Sequence, residues 1–156
     1  MTKIIATAVF TLFCSTLLLF GPASLTAAPT PDTVKEVVDY YYNGQKEGPI
    51  LTDSNLCKSI NKLECGEALD PNAVNLGSVV NVWMQFFVPQ GATYDDVIVE
   101  FKHEGVPRHL TAYKVQGSIR YRVADRYKVD KPGKWTITIK RGMTSLKEFA
   151  ITVVKK

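Results

Sequence analysis

The sequence predicts a mainly β protein: an antiparallel β-sandwich with a short N-terminal helix and a disulfide-stapled segment. Three observations predict it. Apolar and polar residues alternate with period two through most of the chain after Val79. Turn signals recur about every ten residues there, a spacing that suits hairpins and not βαβ units. Two cysteines, Cys57 and Cys65, stand close together behind an export-type leader.

The leader comes first. Lys3 precedes an apolar run from Ile4 to Phe20, and small residues follow to Ala28. A positive start, an apolar middle and a small-residue end form the secretory pattern. The run is at the low edge of a membrane-spanning length, so cleavage is expected over anchoring. Residues 1–28 are read as a signal peptide, and 29–156 as one folded unit with no stable membrane span after cleavage. Roughly 130 residues can bury about two-thirds of their unfolded surface, enough for a core. Within that unit, 29–78 hold the helix and stapled segment, and 79–156 the sandwich. Cys14 lies inside the apolar run and lacks the setting of a lipid-acceptor cysteine.

The chain has 156 residues and a formal charge of +4, which falls to +3 without Lys3. Mild basicity in an exported chain does not call for a nucleic-acid partner. The expected location is periplasmic or secreted.

The helix is predicted from about Val34, with Asp32 or Thr33 as its cap. Val34, Val37, Val38 and Tyr41 fall at i, i+3, i+4 and i+7 as an apolar stripe, and Asn43-Gly44 ends it. Tyr40, Tyr41 and Tyr42 are consecutive, so at least one ring must be exposed. Between Ser54 and Leu63 a helical turn held by the cysteine pair is expected. Cys57 and Cys65 are read as a disulfide closing a loop of about ten residues, worth roughly 2–3 kcal/mol. A redox pair or two thiolate ligands are the alternatives.

About six strands are expected between 79 and 154. Val80, Val82, Met84, Phe86 and Val88 form one apolar face, with Trp83 and Phe87 on the other. Pro89-Gln90-Gly91-Ala92 breaks that strand. Val97, Val99 and Phe101 follow, then a turn at Glu104 to Pro107, then residues 109–116. Gly117-Ser118 turns the chain again. Ile119, Tyr121, Val123 and Tyr127 alternate with Arg120, Arg122 and Arg126. Asp130 to Gly133 is a strong turn, and Trp135, Ile137 and Ile139 open the last hairpin, which Phe149, Ile151 and Val153 close.

The order Cys57, Val82-Trp83, His103-Glu104-Gly105, Ser118 to Arg122, Pro132-Gly133-Lys134-Trp135 resembles a bacterial domain family of unknown function found in exported proteins. The resemblance spans about residues 55–154. It implies an immunoglobulin-like sandwich without known catalytic residues.

Four arrangements could carry function. Arg120, Arg122 and Arg126, with Lys128 in line, share one side of a strand about 6.6–7 Å apart in pairs. Paired guanidinium groups suit bidentate contact with carboxylate or phosphate. The competing reading is a solvated face whose arginines pair with Asp125, Glu100 or Glu104. His103 and His109 flank a turn and are the weak metal candidates, with Met84 or Met143 as a soft ligand for copper. They lack a third ligand at a known spacing, so no metal site and no cofactor is assigned. A hydrolase could be drawn from Ser118, His103 or His109, and Asp95 or Asp96, but no Gly-x-Ser-x-Gly stretch supports it. Trp83, Phe87, Tyr113, Tyr121 and Tyr127 could form a sugar platform, although aromatics at strand spacing usually pair across strands. The expected function is a non-catalytic binding or assembly module. Its basic strand face would hold an envelope protein or an anionic polymer. The alternatives are a copper- or other metal-handling protein and an uncharacterised hydrolase.

Overall fold

The computed structural model describes residues 29–155, so the signal-peptide reading and Cys14 lie outside the described residues. Helix α1 spans Pro31–Asn43 and is followed by a 3-10 turn, Gly44–Lys46. Seven strands come next: β1 Ile50–Asn61, β2 Glu64–Ala68, β3 Val74–Asn75, β4 Val79–His103, β5 Val106–Lys128, β6 Gly133–Arg141 and β7 Thr144–Val154. Pairing is antiparallel apart from β3 with β7. The protein is mainly β with a single short helix among the described residues.

The expected six strands after Val79 are four. Neither Pro89–Ala92 nor Gly117-Ser118 ends a strand. They are irregularities inside two long ones, β4 and β5, which form one hairpin. The reason is steric and local. Proline cannot donate to a ladder, and extra residues on one strand are absorbed as bulges that bend it. The register slips between Val88 and Thr93 and again between Tyr94 and Val97. Gly91 sits at φ 72°. A Cβ on Gly117 would lie 2.8 Å from both Gly91 N and Pro89 O, so only glycine lets the two backbones cross here.

The bend divides the sheet. The first half of β4 lies between β1 and the second half of β5, whereas its second half lies between the first half of β5 and β6. A single sheet thus curls into two portions joined by one long hairpin, as strands do when they switch layers at a bulge. The slips also exchange the parity that faces inward. Val80, Val82, Met84, Phe86 and Val88 are buried at even positions, and Val97, Val99 and Phe101 at odd ones. Both sets join Trp135, Ile137, Ile139, Ile151 and Val153 in one core.

The helical turn expected between Ser54 and Leu63 is a strand. β1 pairs with β4 from Ile50↔Phe87 to Cys57↔Asn81, so the stapled segment belongs to the sheet. Pairing with a buried partner strand overrode a helix reading that had only the cysteine spacing behind it. β1 and β2 form a hairpin whose two turn residues, Lys62 and Leu63, lie at φ 49° and 61°. Cys57 and Cys65 are disulfide-bonded across it, with Cα atoms 5.7 Å apart.

Helix α1 also differs in two ways. Thr30, not Asp32 or Thr33, is the N-cap, accepting a hydrogen bond from Thr33 N with Pro31 in the first helical position. The valine stripe does not pack: Val34, Val37 and Val38 are about half exposed. The helix is held by Tyr40 and Tyr41, whose rings lie 5.0 and 5.7 Å from that of Phe87. Tyr42 is the exposed ring. Below the helix, Arg141 fastens the 3-10 turn. Its Nη1 donates to Glu47 O at 2.5 Å and its guanidinium covers the Tyr94 ring at 5.3 Å. Tyr94 Oη in turn donates to Gln45 O at 2.6 Å.

Candidate binding face

The second half of β5 pairs with the first half of β4 at Arg122↔Gln85, Ala124↔Trp83, Arg126↔Asn81 and Lys128↔Val79. Paired residues share a face, and residues two apart along a strand do too. Arg120, Arg122, Arg126 and Lys128 therefore stand together on the side of the sheet turned away from the core. The opposite side carries Tyr121, Val123, Asp125 and Tyr127, which pair with the buried Phe86, Met84, Val82 and Val80. Asp125 points inward and is no partner for these arginines.

The partner is Glu64, at the tip of the β1–β2 hairpin. Its Oε1 accepts from Arg122 Nη1 and lies 3.3 Å from Arg120 Nη2. Arg120 also donates through Nε to Gln85 Oε1 at 2.5 Å. Glu100 and Glu104, the other expected partners, are engaged elsewhere. Glu100 accepts from Lys140 and lies 3.2 Å from Lys102, and Glu104 accepts from Lys134 N at 2.8 Å. Glu64 was hidden in the sequence because the segment before it read as helical. No period-two signal marks β1, because its register slips and its burial does not alternate.

The turn that positions Glu64 is fixed from below. Trp83, nearly buried, donates through Nε1 to Leu63 O at 2.7 Å. Asn81 donates from Nδ2 to the carbonyls of Cys57 and Lys58, each at 3.1 Å. The disulfide ties the other side of the same hairpin. A depression of about 860 Å³ lies beside it and takes residues from both faces of β5, Arg122 and Arg126 from the outer and Val123 and Asp125 from the inner. Lys58 lines it too and pairs with Glu67 at 2.5 Å. Arg126 is exposed, and among the described residues its side chain makes no ion pair or hydrogen bond.

On the inner side, His109, Thr111, Tyr113 and Asp125 form a polar group at the rim of the core. His109 Nε2 lies 2.8 Å from Thr111 Oγ1 and 3.3 Å from either oxygen of Asp125. Asp125 Oδ1 accepts from Arg126 N at 2.8 Å, while its buried Oδ2 has no hydrogen bond among the described residues. Burial, aided by that nearby carboxylate, holds the Tyr113 hydroxyl well above its usual pKa.

The two histidines occupy separate environments. His103 Nε2 lies 2.8 Å from Pro132 O and the ring packs on Trp135 at 5.0 Å, whereas His109 stacks on Tyr127 at 4.9 Å. Tyr127 and Trp135 touch at 5.8 Å, so the two imidazoles end a row of aromatic rings. Met84 is buried in the core and Met143 fully exposed on the β6–β7 turn. Among the described residues no three His, Cys, Asp or Glu side chains converge as a metal set.

The imagined hydrolytic group is scattered. Ser118 Oγ accepts from Arg120 N at 3.1 Å, and Asp96 lies 3.3 Å from Arg141 Nε, while His103 and His109 have the partners just described. Nor do the five aromatics share a platform. Trp83 and Phe87 sit on the outer face, beneath the hairpin and the helix. Tyr121 and Tyr127 sit on the inner face, against the core.

The chain matches no family model and no curated protein. Among solved structures it is similar to an immunoglobulin-like protein from Pseudomonas aeruginosa, with 13% identity over 68% of this chain and 96% of that one, TM-score 0.47. It is also similar to the CARDB domain of a Pyrococcus furiosus protein, at 13% identity over 69% and 96%, TM-score 0.41. A third likeness is to an alkylpurine DNA glycosylase from Pseudomonas fluorescens, at 11% identity over 69% of this chain but 30% of that one, TM-score 0.47. With scores below 0.5, these likenesses carry no argument about family or activity.

Proposed function

We propose that this chain is an extracytoplasmic, non-catalytic binding module that holds an anionic ligand on the outer face of β5. One observation carries the reading. Arg120 and Arg122 already converge on a carboxylate oxygen, that of Glu64, presented by a hairpin tip. Their geometry is therefore competent for an oxyanion. Two guanidinium groups share one carboxylate, and Arg126 and Lys128 stand beside them in the same row. Glu64 acts as a resting counter-ion that a denser anion displaces. Its side chain and that of Arg120 are about half exposed, so their contact costs little to exchange.

The disulfide supports the compartment, since such bonds persist in oxidising surroundings. Among the described residues, no helix is long and apolar enough to cross a membrane. The scattered Ser118, His103, His109 and Asp96 favour binding over hydrolysis.

The test is retention of residues 29–156 on immobilised dextran sulfate across a salt gradient. The unmodified chain should be retained at low salt and released as screening shortens the range of charge. The triple variant Arg120→Ala/Arg122→Ala/Arg126→Ala should elute markedly earlier than a control lacking three lysines elsewhere, Lys35→Ala/Lys147→Ala/Lys155→Ala. Equal elution of the two variants would refute the reading.

A further inference from the structure

Strand β5 runs for 23 residues and, among the described residues, pairs with β4 alone. One edge of it thus has no neighbouring strand. Along its second half, Arg120 N and Arg126 N donate to Ser118 Oγ and Asp125 Oδ1, and Ala124 O accepts from Tyr113 Oη at 3.4 Å, so an added strand exchanges these local bonds for its own. Such an edge is a template for another strand, and proteins usually blunt it with charge, proline or bulges. Here the blunting has one sign. β5 carries Arg108, Lys114, Arg120, Arg122, Arg126 and Lys128 against the single acid Asp125, which faces inward.

That charge separates the candidate occupants. A second copy of β5 would bring like charges opposite one another, which destabilises a strand pair. An extended segment with acids at alternate positions would place them beside Arg120, Arg122 and Arg126 on the outer face. Its other side chains would lie toward the inner face, beside the partly buried Tyr121, Val123 and Tyr127. The depression of about 860 Å³ is lined by Arg122 and Arg126 together with Lys58 and Asn81, so it opens beside the arginine row.

We infer that the second half of β5 receives an extended acidic peptide as an added strand, with backbone hydrogen bonds along the free edge and carboxylates on the arginine row. This is strand addition, in which main-chain bonds give affinity and alternate side chains give selectivity. It rests on the anion-binding reading above and specifies the partner as a peptide.

The probe is a labelled ten-residue peptide of alternating glutamate and valine, followed by fluorescence anisotropy with residues 29–156. A second peptide has the same sequence with every backbone nitrogen methylated. It keeps the charge and loses the donors. The inference predicts that the plain peptide binds, and that methylation and Arg120→Ala/Arg126→Ala each weaken it at least tenfold. Amide exchange in residues 118–128 should slow when the plain peptide is present. Binding of the methylated peptide within twofold of the plain one would overturn strand addition and leave the charge reading standing. So would retention on dextran sulfate with no peptide binding. Failure of both peptides and of dextran sulfate would overturn the two together.

Discussion

Glu100 shows how one charge is kept inside a sheet. Its side chain is 8% exposed on the second half of β4. The hydrogen bond from Lys140 is the main reason its carboxyl titrates below the ordinary value of 4.5, with Lys102 adding to it and burial opposing. A carboxyl depressed in the folded state stabilises the fold above its unfolded pKa, and that contribution is lost as pH falls through the folded value. Glu100→Gln should therefore lower the melting temperature at neutral pH, by the equivalent of roughly 1.5–3 kcal/mol. It should also flatten the further loss of stability below about pH 4.5. Melting curves from pH 3 to 7 check both parts. Tyr40 has the opposite sign. Burial first, then Tyr94 and Glu47, push its hydroxyl up to about 12, and it donates to Gly48 O. An acid raised in the fold favours the folded state below its ordinary value of 10 and loses that advantage as pH climbs toward 12. Tyr40→Phe should cost about 1 kcal/mol at neutral pH. It should also reduce the alkaline loss between those two values, as read by urea titration at pH 8 and pH 11.

The β1–β2 hairpin is the element that decides the binding face. Its two-residue turn places Lys62 and Leu63 in the left-handed region, where side chains other than those of Gly, Asn and Asp are strained. Lys62→Asn/Leu63→Gly should raise stability by about 1 kcal/mol, measured by chemical unfolding. Anion retention should hold, because Trp83 needs only the Leu63 carbonyl. Reducing the disulfide should act the other way, costing roughly 2–3 kcal/mol on the chain-entropy account. It should also strengthen retention, since Glu64 is no longer held over Arg122 and the arginines become freer to meet the polyanion. The contrast with α1 is instructive. The helix could be read from its valine spacing and Asn43-Gly44, though its cap is Thr30 and not the expected Asp32 or Thr33. Its docking could not, because periodicity identifies an apolar stripe and says nothing about which ring meets Phe87. Likewise the alternation in β4 showed both faces of that strand, Trp83 and Phe87 included. β1 carries no such alternation, with Asp53, Ser54 and Asn55 in a row before the cysteine spacing.

At the scale of the whole molecule, Gly91 and Gly117 let one long hairpin serve both portions of a curled sheet. Turn chemistry in the sequence marked those positions but could not distinguish a bend within a strand from a break between strands. Only the register across two backbones settles that. The same limit hid the ion pair of the binding face. Arg120, Arg122 and Arg126 were legible as a row, while Glu64 joins them from 56 residues away in the chain for the Arg120 contact. The fold also sets the association state expected. With β5 cationic along its free edge, residues 29–156 should sediment as a monomer at low salt. The most direct test of the account is Glu64→Ala on the dextran sulfate column. If Glu64 is a resting counter-ion, removing it frees both arginines, and the variant should elute at higher salt than the unmodified chain. If retention is unchanged or weaker, Glu64 is only a structural partner, and the arginine row is not a binding site.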